Sequence, residues 1–316
     1  MVAVQTLNLH KYYNNNDSYS IRLHLIMSLL SSYLLRKHYD RVILYCDEKT
    51  AQTLSDSYYT EIRILPNNIL VENGYGTLSK LYTYSNIEEE YIHFDIDYFL
   101  FNKIELRNEI ICGYSETKEK CGEHPFNLGY IGLIDKLKEN YDDFGFNIIN
   151  ENYAMNVCVF GVPKVYHKSV TDYFRRLDEY TQQNIESIVN TYSIEAPPHW
   201  AIEQYLSAQF FLENGFNIKE LREYENVLIK GDKGYIRIYE MKDFSNIANF
   251  RLKDINIRES LTKYMIENIG HHLWVSKKVI GMDELLMSVI NEMYPELNEK
   301  INLILNIKHT NKKKLL

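Results

Sequence analysis

Strand-like and helix-like segments alternate through the first hundred residues, and few folds accommodate that rhythm. Apolar runs rich in β-branched residues appear as "VAVQTL", "RVILYCDE", "EIRILP" and "YIHFDID". Between the first two lies "DSYSIRLHLIMSLLSSYLLRKHY", whose Ile21, Leu25, Ser28 or Leu29 and Ser32 or Tyr33 recur at helical spacing behind the N-capping residue Asp17. A short helix around Lys49 to Ser55 and another in "TLSKLYTYSNI" separate the later strands. This β-α-β-α-β order predicts an α/β domain with a mostly parallel sheet between helices. Ligands of such sheets bind beyond the carboxyl ends of the strands.

The remaining segments extend the pattern. "AMNVCVFGV" reads as a second buried strand, and Pro163 suits the start of the helix "PKVYHKSVTDYFRRLDEYTQQ". "PHWAIEQYLSAQFFLENG" reads as a helix ending at Gly215. "NVLIK" and "YIRIYE" are strands joined by the turn "GDKG". No repeat or Pro/Ser-rich linker divides the chain, so the expectation is one domain over residues 1–282. A helical C-terminal appendix with a basic tail, "NKKKLL", completes it over 283–316.

Charge and cysteine content narrow the function classes. A net charge of -8 argues against nucleic acid as a partner, because phosphate neutralisation needs a basic face. Four scattered cysteines fit a reducing compartment, and "CGEH" (Cys121 to His124) is at most half of a zinc site. The N-terminus lacks a signal-peptide pattern, and "LHLIMSLLSSYLLRKHY" is interrupted by Ser31 and Ser32 and flanked by Arg22 and Arg36. The expected location is the cytoplasm. The lysine tail gives at most weak peripheral contact with an anionic membrane.

The chemistry is concentrated in "YIHFDIDYFLFNK", residues 91–103, where Asp95 and Asp97 lie among apolar side chains. Burying carboxylates is costly unless they are paired, hydrogen-bonded or coordinated. If the strand continues through them, both acids project to one side, with His93 one step behind. Oxygen ligands of this kind suit Mg2+ or Mn2+ shared with substrate phosphates.

This segment resembles the DxD strand of the GT-A class of glycosyltransferases, in particular the glycogenin and galactosyltransferase-like families, and here a bacterial branch of them. "GTLSKLYTYSNIEEE" resembles the helix ahead of that strand and carries the basic residue Lys80. In "MNVCVFGV", Asn156 and Gly161 match the family's Asn-x-Gly-x-φ-Gly strand, φ being apolar, whereas Cys158 replaces a glycine. Glu203 and Gln204 fall on the family's acid-Gln pair, and "HHLWVSKK" resembles its closing histidine segment. The resemblance covers roughly residues 1 to 280.

The resemblance implies a GT-A-like nucleotide-binding fold and a metal-dependent glycosyltransferase of the hexosyltransferase type. Its donor would be a nucleotide-sugar, a UDP-sugar by family likeness, and its acceptor a glycan, lipid or protein. Asp95, Asp97 and His272, with His271 in reserve, would hold Mn2+ or Mg2+. Lys80, Asp95, Lys277 and Lys278 would bind the donor, and Glu203, Gln204 and Asn156 would serve catalysis. One alternative is a phosphohydrolase of the haloacid dehalogenase type, which carries its Asp-x-Asp on the first strand. Another is a non-catalytic nucleotide-sugar-binding protein, in which Cys158 crowds the sugar. A nucleotidyltransferase ranks behind these, because "LNLHKYYNNND" has no glycine.

Overall fold

The computed structural model describes residues 1–69, 76–121, 130–132, 134–135, 138, 145–184, 200–221, 228–231, 234–237, 270–272 and 282–312. Parallel pairing joins β1 (Val2–Leu7) to β2 (Val42–Cys46) and to β4 (Tyr91–Phe94), and joins β2 to β3 (Glu61–Ile64). β5 (Tyr98–Leu100) follows the Asp-rich turn outside this sheet. β7 (Tyr153–Val162) is antiparallel to both β4 and β6 (Ile110–Thr117), and β6 is parallel to β8 (Ile218–Glu220). The result is a seven-stranded mixed sheet in the order β3-β2-β1-β4-β7-β6-β8. Only β7 runs against the other strands, so the expected mostly parallel α/β architecture is what forms.

The helices start where the sequence supplies caps. α1 (His10–Asn14) follows β1, and α2 (Ser18–Arg36) begins behind Asp17, whose side chain accepts a hydrogen bond from the Ser20 amide. α3 (Glu48–Leu54) is capped in the same way by Asp47, which accepts from the Thr50 amide. α4 (Gly76–Ser85) precedes β4, α5 (Lys118–Cys121) follows β6, and α6 (Lys164–Gln183) starts behind Pro163. A π-helical turn, Trp200–Tyr205, runs into α7 (Leu206–Glu213), and Gly215 follows at a positive φ of 64°. β9 (Leu228–Gly231) and β10 (Gly234–Arg237) pair antiparallel as expected, while Asp232 and Lys233 of the predicted turn lie outside the described residues.

Both sheet faces are covered. Val2, Val4 and Tyr91 pack with Leu81 and Tyr84 of α4, Phe174 and Leu177 of α6 and Phe211 of α7. On the side of α2, Leu25, Ile26 and Leu29 share a core with α8 (Met282–Met293) and α9 (Pro295–Lys312) through Val289, Ile290, Leu297 and Ile301. Arg22 of α2 pairs with Asp283 at 3.0 Å. The segment expected as a C-terminal appendix is therefore packed into the core on one face of the sheet. No helix among the described residues is long and apolar enough to cross a membrane.

Candidate functional site

β4 stops at Phe94, one residue before the first acid. The Tyr98 amide donates to the Asp95 carbonyl at 2.9 Å and closes a turn over Asp95–Tyr98, after which the chain continues as β5. The sequence pattern predicts a continuous strand here, with both acids on one side. The turn replaces that alternation, and Ile96 enters the core shared with α2, α8 and α9. The Asp95 amide still donates to the Cys158 carbonyl at 2.8 Å, which ties the start of the turn to β7. Asp97 is 2% exposed.

Lys80 reaches the turn from α4. Its Nζ lies 2.7 Å from Asp95 Oδ1 and 3.2 Å from Glu203 Oε1. Glu203, on the π-helical turn, also accepts a hydrogen bond from the Tyr84 hydroxyl at 2.9 Å. A π-helical turn widens the backbone by one residue and is frequent at functional sites; here it carries Glu203 and Gln204 to different partners. Burial works against the Lys80 charge, but the Asp95 and Glu203 carboxylates more than offset it and raise its pKa above the ordinary value. Glu203 is held above the usual carboxylate range chiefly by burial, with Lys80 opposing and Asp95 adding to the shift.

A neutral hydrogen-bonded layer lies behind this ion pair. His93 is fully buried, and burial followed by the nearby Lys80 charge holds its pKa well below the ordinary value. Thr83 Oγ1 donates to the Ser79 carbonyl at 2.8 Å, and Thr6 Oγ1 donates to Thr83 Oγ1 at 2.9 Å. His93 Nε2, 3.0 Å from Thr6 Oγ1, is therefore the donor in that contact, which leaves Nδ1 unprotonated and facing the Tyr84 hydroxyl at 3.5 Å.

Asn156 and Gln204 meet through two other residues. Asn156 Nδ2 donates to Glu116 Oε1 at 3.0 Å, and the Tyr130 hydroxyl contacts both the other Glu116 oxygen and Gln204 Oε1, the latter at 2.8 Å. Glu116 and Tyr130 are absent from the sequence expectation. Glu116 could have been suspected from its position at the end of the apolar run in "IICGYSE". Cys158 is buried over Gly113, where β6 carries a bulge, and an added Cβ at Gly113 would come within 2.6 Å of its sulfur. The Cys158 side chain is thus matched by a glycine on the adjacent strand.

β11 (Gly270–His272) pairs antiparallel with β5, setting the His272 backbone opposite Tyr98 and the His271 backbone opposite Phe99. His272 is thereby aligned with the residue that follows Asp97. Lys277 and Lys278 lie outside the described residues, as do the side chains of both histidines. Among the described residues no three His, Cys, Asp or Glu side chains converge on one point. The donor set still suits a divalent ion, since two carboxylates on one turn beside a histidine segment are ligands that Mn2+ or Mg2+ accepts, and the buried Asp95 Oδ1 has the Lys80 ammonium as its one side-chain partner among the described residues. Adjacent to it are the buried Asp97 and the backbone of a histidine segment.

The family described as "Family of unknown function (DUF6734)" matches residues 1–303. A search of curated proteins gives no match. Among solved structures, the apo form of mouse xyloside xylosyltransferase 1 is similar at a TM-score of 0.39 and 10% identity, over 70% of this chain and 84% of that one. The galactosyltransferase LgtC, in complex with donor and acceptor sugar analogs, is similar at a TM-score of 0.35 and 13% identity. That likeness spans 59% of this chain and 66% of the LgtC chain.

Proposed function

We propose that this chain, which belongs to the family of unknown function (DUF6734), is a metal-dependent glycosyltransferase that moves a sugar from a nucleotide-sugar, a UDP-sugar by resemblance, to an acceptor alcohol. The observation that carries this reading is the Asp95–Tyr98 turn at the carboxyl edge of a mostly parallel sheet. It combines two acids, a lysine at 2.7 Å and a paired histidine segment. That edge is where α/β sheets bind nucleotides.

Asp95, Asp97 and an imidazole from His272 or His271 are the residues that would hold Mn2+ or Mg2+, and an ion there supplies charge neutralisation at the leaving diphosphate. Lys80 keeps a fixed positive charge beside the pair, because Asp95 and Glu203 hold it protonated. Lys277 and Lys278 add cationic groups on the histidine segment. Glu203 orients Lys80, while Gln204 and Asn156, joined through Tyr130 and Glu116, present amides to the sugar and acceptor.

The test is nucleoside diphosphate release from a panel of nucleotide-sugars with manganese present. Release from one donor that disappears in Asp97→Asn supports the reading. Release by neither protein from any donor, with or without candidate acceptor sugars, contradicts it.

A further inference from the structure

Gln5 lies in the middle of β1 with no exposed surface, and every hydrogen-bonding group of its amide is used. A buried amide is costly unless it is fully partnered. Its Nε2 donates one hydrogen to Ser31 Oγ at 2.9 Å and the other to the Asp95 carbonyl at 3.3 Å. Ser31 Oγ in turn donates to the Tyr98 carbonyl at 2.8 Å. On the far side, Gln5 Oε1 accepts from the Tyr59 hydroxyl at 2.8 Å, and that hydroxyl meets Ser28 Oγ at 2.6 Å.

The polarity of this chain follows from its ends. Because Ser31 gives its hydrogen to a carbonyl, it accepts from Gln5. Because Tyr59 gives its hydrogen to Gln5 Oε1, it accepts from Ser28. The Asp95 carbonyl, which can only accept, thus fixes which end of the amide faces the turn, Tyr59 satisfies the oxygen at the other end, and the two carbonyls that are gripped are the first and last of the Asp95–Tyr98 turn.

We propose that Gln5 is a positioning residue: anchored at its oxygen by Tyr59 and acting with Ser31, it clamps the turn and sets the spacing of Asp95 and Asp97. The proposal rests on the metal-dependent reading of the site. Carboxylates that share an ion must be held to within about half an ångström. A turn closed by one backbone bond leaves that spacing loose, and the clamp adds bonds to both of its ends.

The test compares the wild type with Gln5→Met, which keeps the volume and removes the amide, and with Tyr59→Phe, which removes only the hydroxyl that anchors Gln5 Oε1. Thr181→Val is the control. Thr181 is also buried, and its hydroxyl donates to the Leu177 carbonyl within α6. Manganese affinity in the presence of UDP is measured where all four proteins are folded. Amide exchange at Tyr98 is followed in parallel. Gln5→Met and Tyr59→Phe are expected to weaken manganese binding by about fivefold or more, a factor equal to at least one net hydrogen bond. Tyr98 exchange is expected to speed up in both, with neither effect in Thr181→Val.

Unchanged manganese affinity in Gln5→Met and Tyr59→Phe would overturn the proposal. Absence of manganese binding in the wild type would overturn the metal reading itself, and the clamp would then stand or fall on Tyr98 exchange alone. Faster exchange in Gln5→Met would support the clamp, and unchanged exchange would refute it.

Discussion

Replacing Lys80 by methionine removes the charge shared by Asp95 and Glu203 while keeping most of the side-chain volume. Breaking a buried ion pair by deleting one partner costs about 3–5 kcal/mol, because the other charge is left unpaired. Two features of this site reduce that figure. The Lys80 and Asp95 side chains are each 20% exposed, so water screens part of the loss. Glu203, 4% exposed and already above the usual carboxylate range, escapes by taking up a proton. The expected loss at neutral pH is about 2–3 kcal/mol.

Lys80 is the main group lowering the Glu203 pKa, so the substitution raises that pKa further. An acid whose folded pKa exceeds its unfolded one contributes stability below the unfolded value and loses it as the pH rises through the folded value. Lys80→Met should therefore be closest to wild type near pH 5 and furthest from it near pH 8, with a difference between the two of about 1 kcal/mol or more. Adding Glu203→Gln should recover about 1–2 kcal/mol, since neighbouring sites that share a charge are not additive. Denaturant unfolding of the single and double variants at both pH values measures this. A loss that is independent of pH and unrelieved by Glu203→Gln would refute the coupled Lys80–Glu203 picture.

Asp97→Asn should weaken manganese-dependent UDP binding by at least about tenfold with the fold intact, and His272→Ala should weaken it more than His271→Ala; calorimetric titration reads both. Asp178 on α6 is 7% exposed, and burial pushes its pKa up to about 6 from the ordinary 3.8. Its proton is thus bound more tightly in the folded state, and stability falls as the pH rises through that window. Asp178→Asn should stabilise the protein by about 1–2 kcal/mol above the window and leave it unchanged below, as followed by denaturant midpoints. Gly113→Ala should cost about 2–3 kcal/mol, because the new methyl meets Cys158 Sγ and, at 3.3 Å, the Asn156 carbonyl. Cys158→Ala should recover part of that loss in thermal unfolding.

The elements that local chemistry specifies were legible in the sequence. Asp17 and Pro163 mark helix starts that form there, and "VILYC" and "YAMNVCVFGV" are buried strands as their apolar runs predict. What local pattern could not show was the Asp95–Tyr98 turn. An acid-apolar-acid alternation reads as strand, and the same sequence serves a turn whose apolar residue, Ile96, enters a core built partly by helices near the chain's end. The amphipathic character of α8 and α9 was visible, but their docking on α2 depends on contacts across more than 250 residues, such as Arg22–Asp283.

The site divides along similar lines. Asp95, Lys80 and Glu203 were each singled out through the family resemblance, and the structure brings the three into one contact. Asn156 and Gln204 were also singled out, but their connection through Glu116 and Tyr130 joins segments far apart in sequence. Gln5 did leave a trace, as the one residue in "VAVQTL" carrying a side-chain amide, with the same zero exposure as Val4 beside it. A polar residue inside a buried strand signals a partner without saying where that partner lies.

Under the proposed function, this chain binds a nucleoside diphosphate through a divalent ion held at the Asp95–Tyr98 turn. The most direct test is calorimetric titration of UDP and the other nucleoside diphosphates into the full-length protein, with manganese and again with chelator. One nucleoside diphosphate, expected to be UDP, should bind with manganese and lose that binding in chelator. Binding of equal strength under both conditions, or none by any nucleoside diphosphate with manganese present, would contradict the claim.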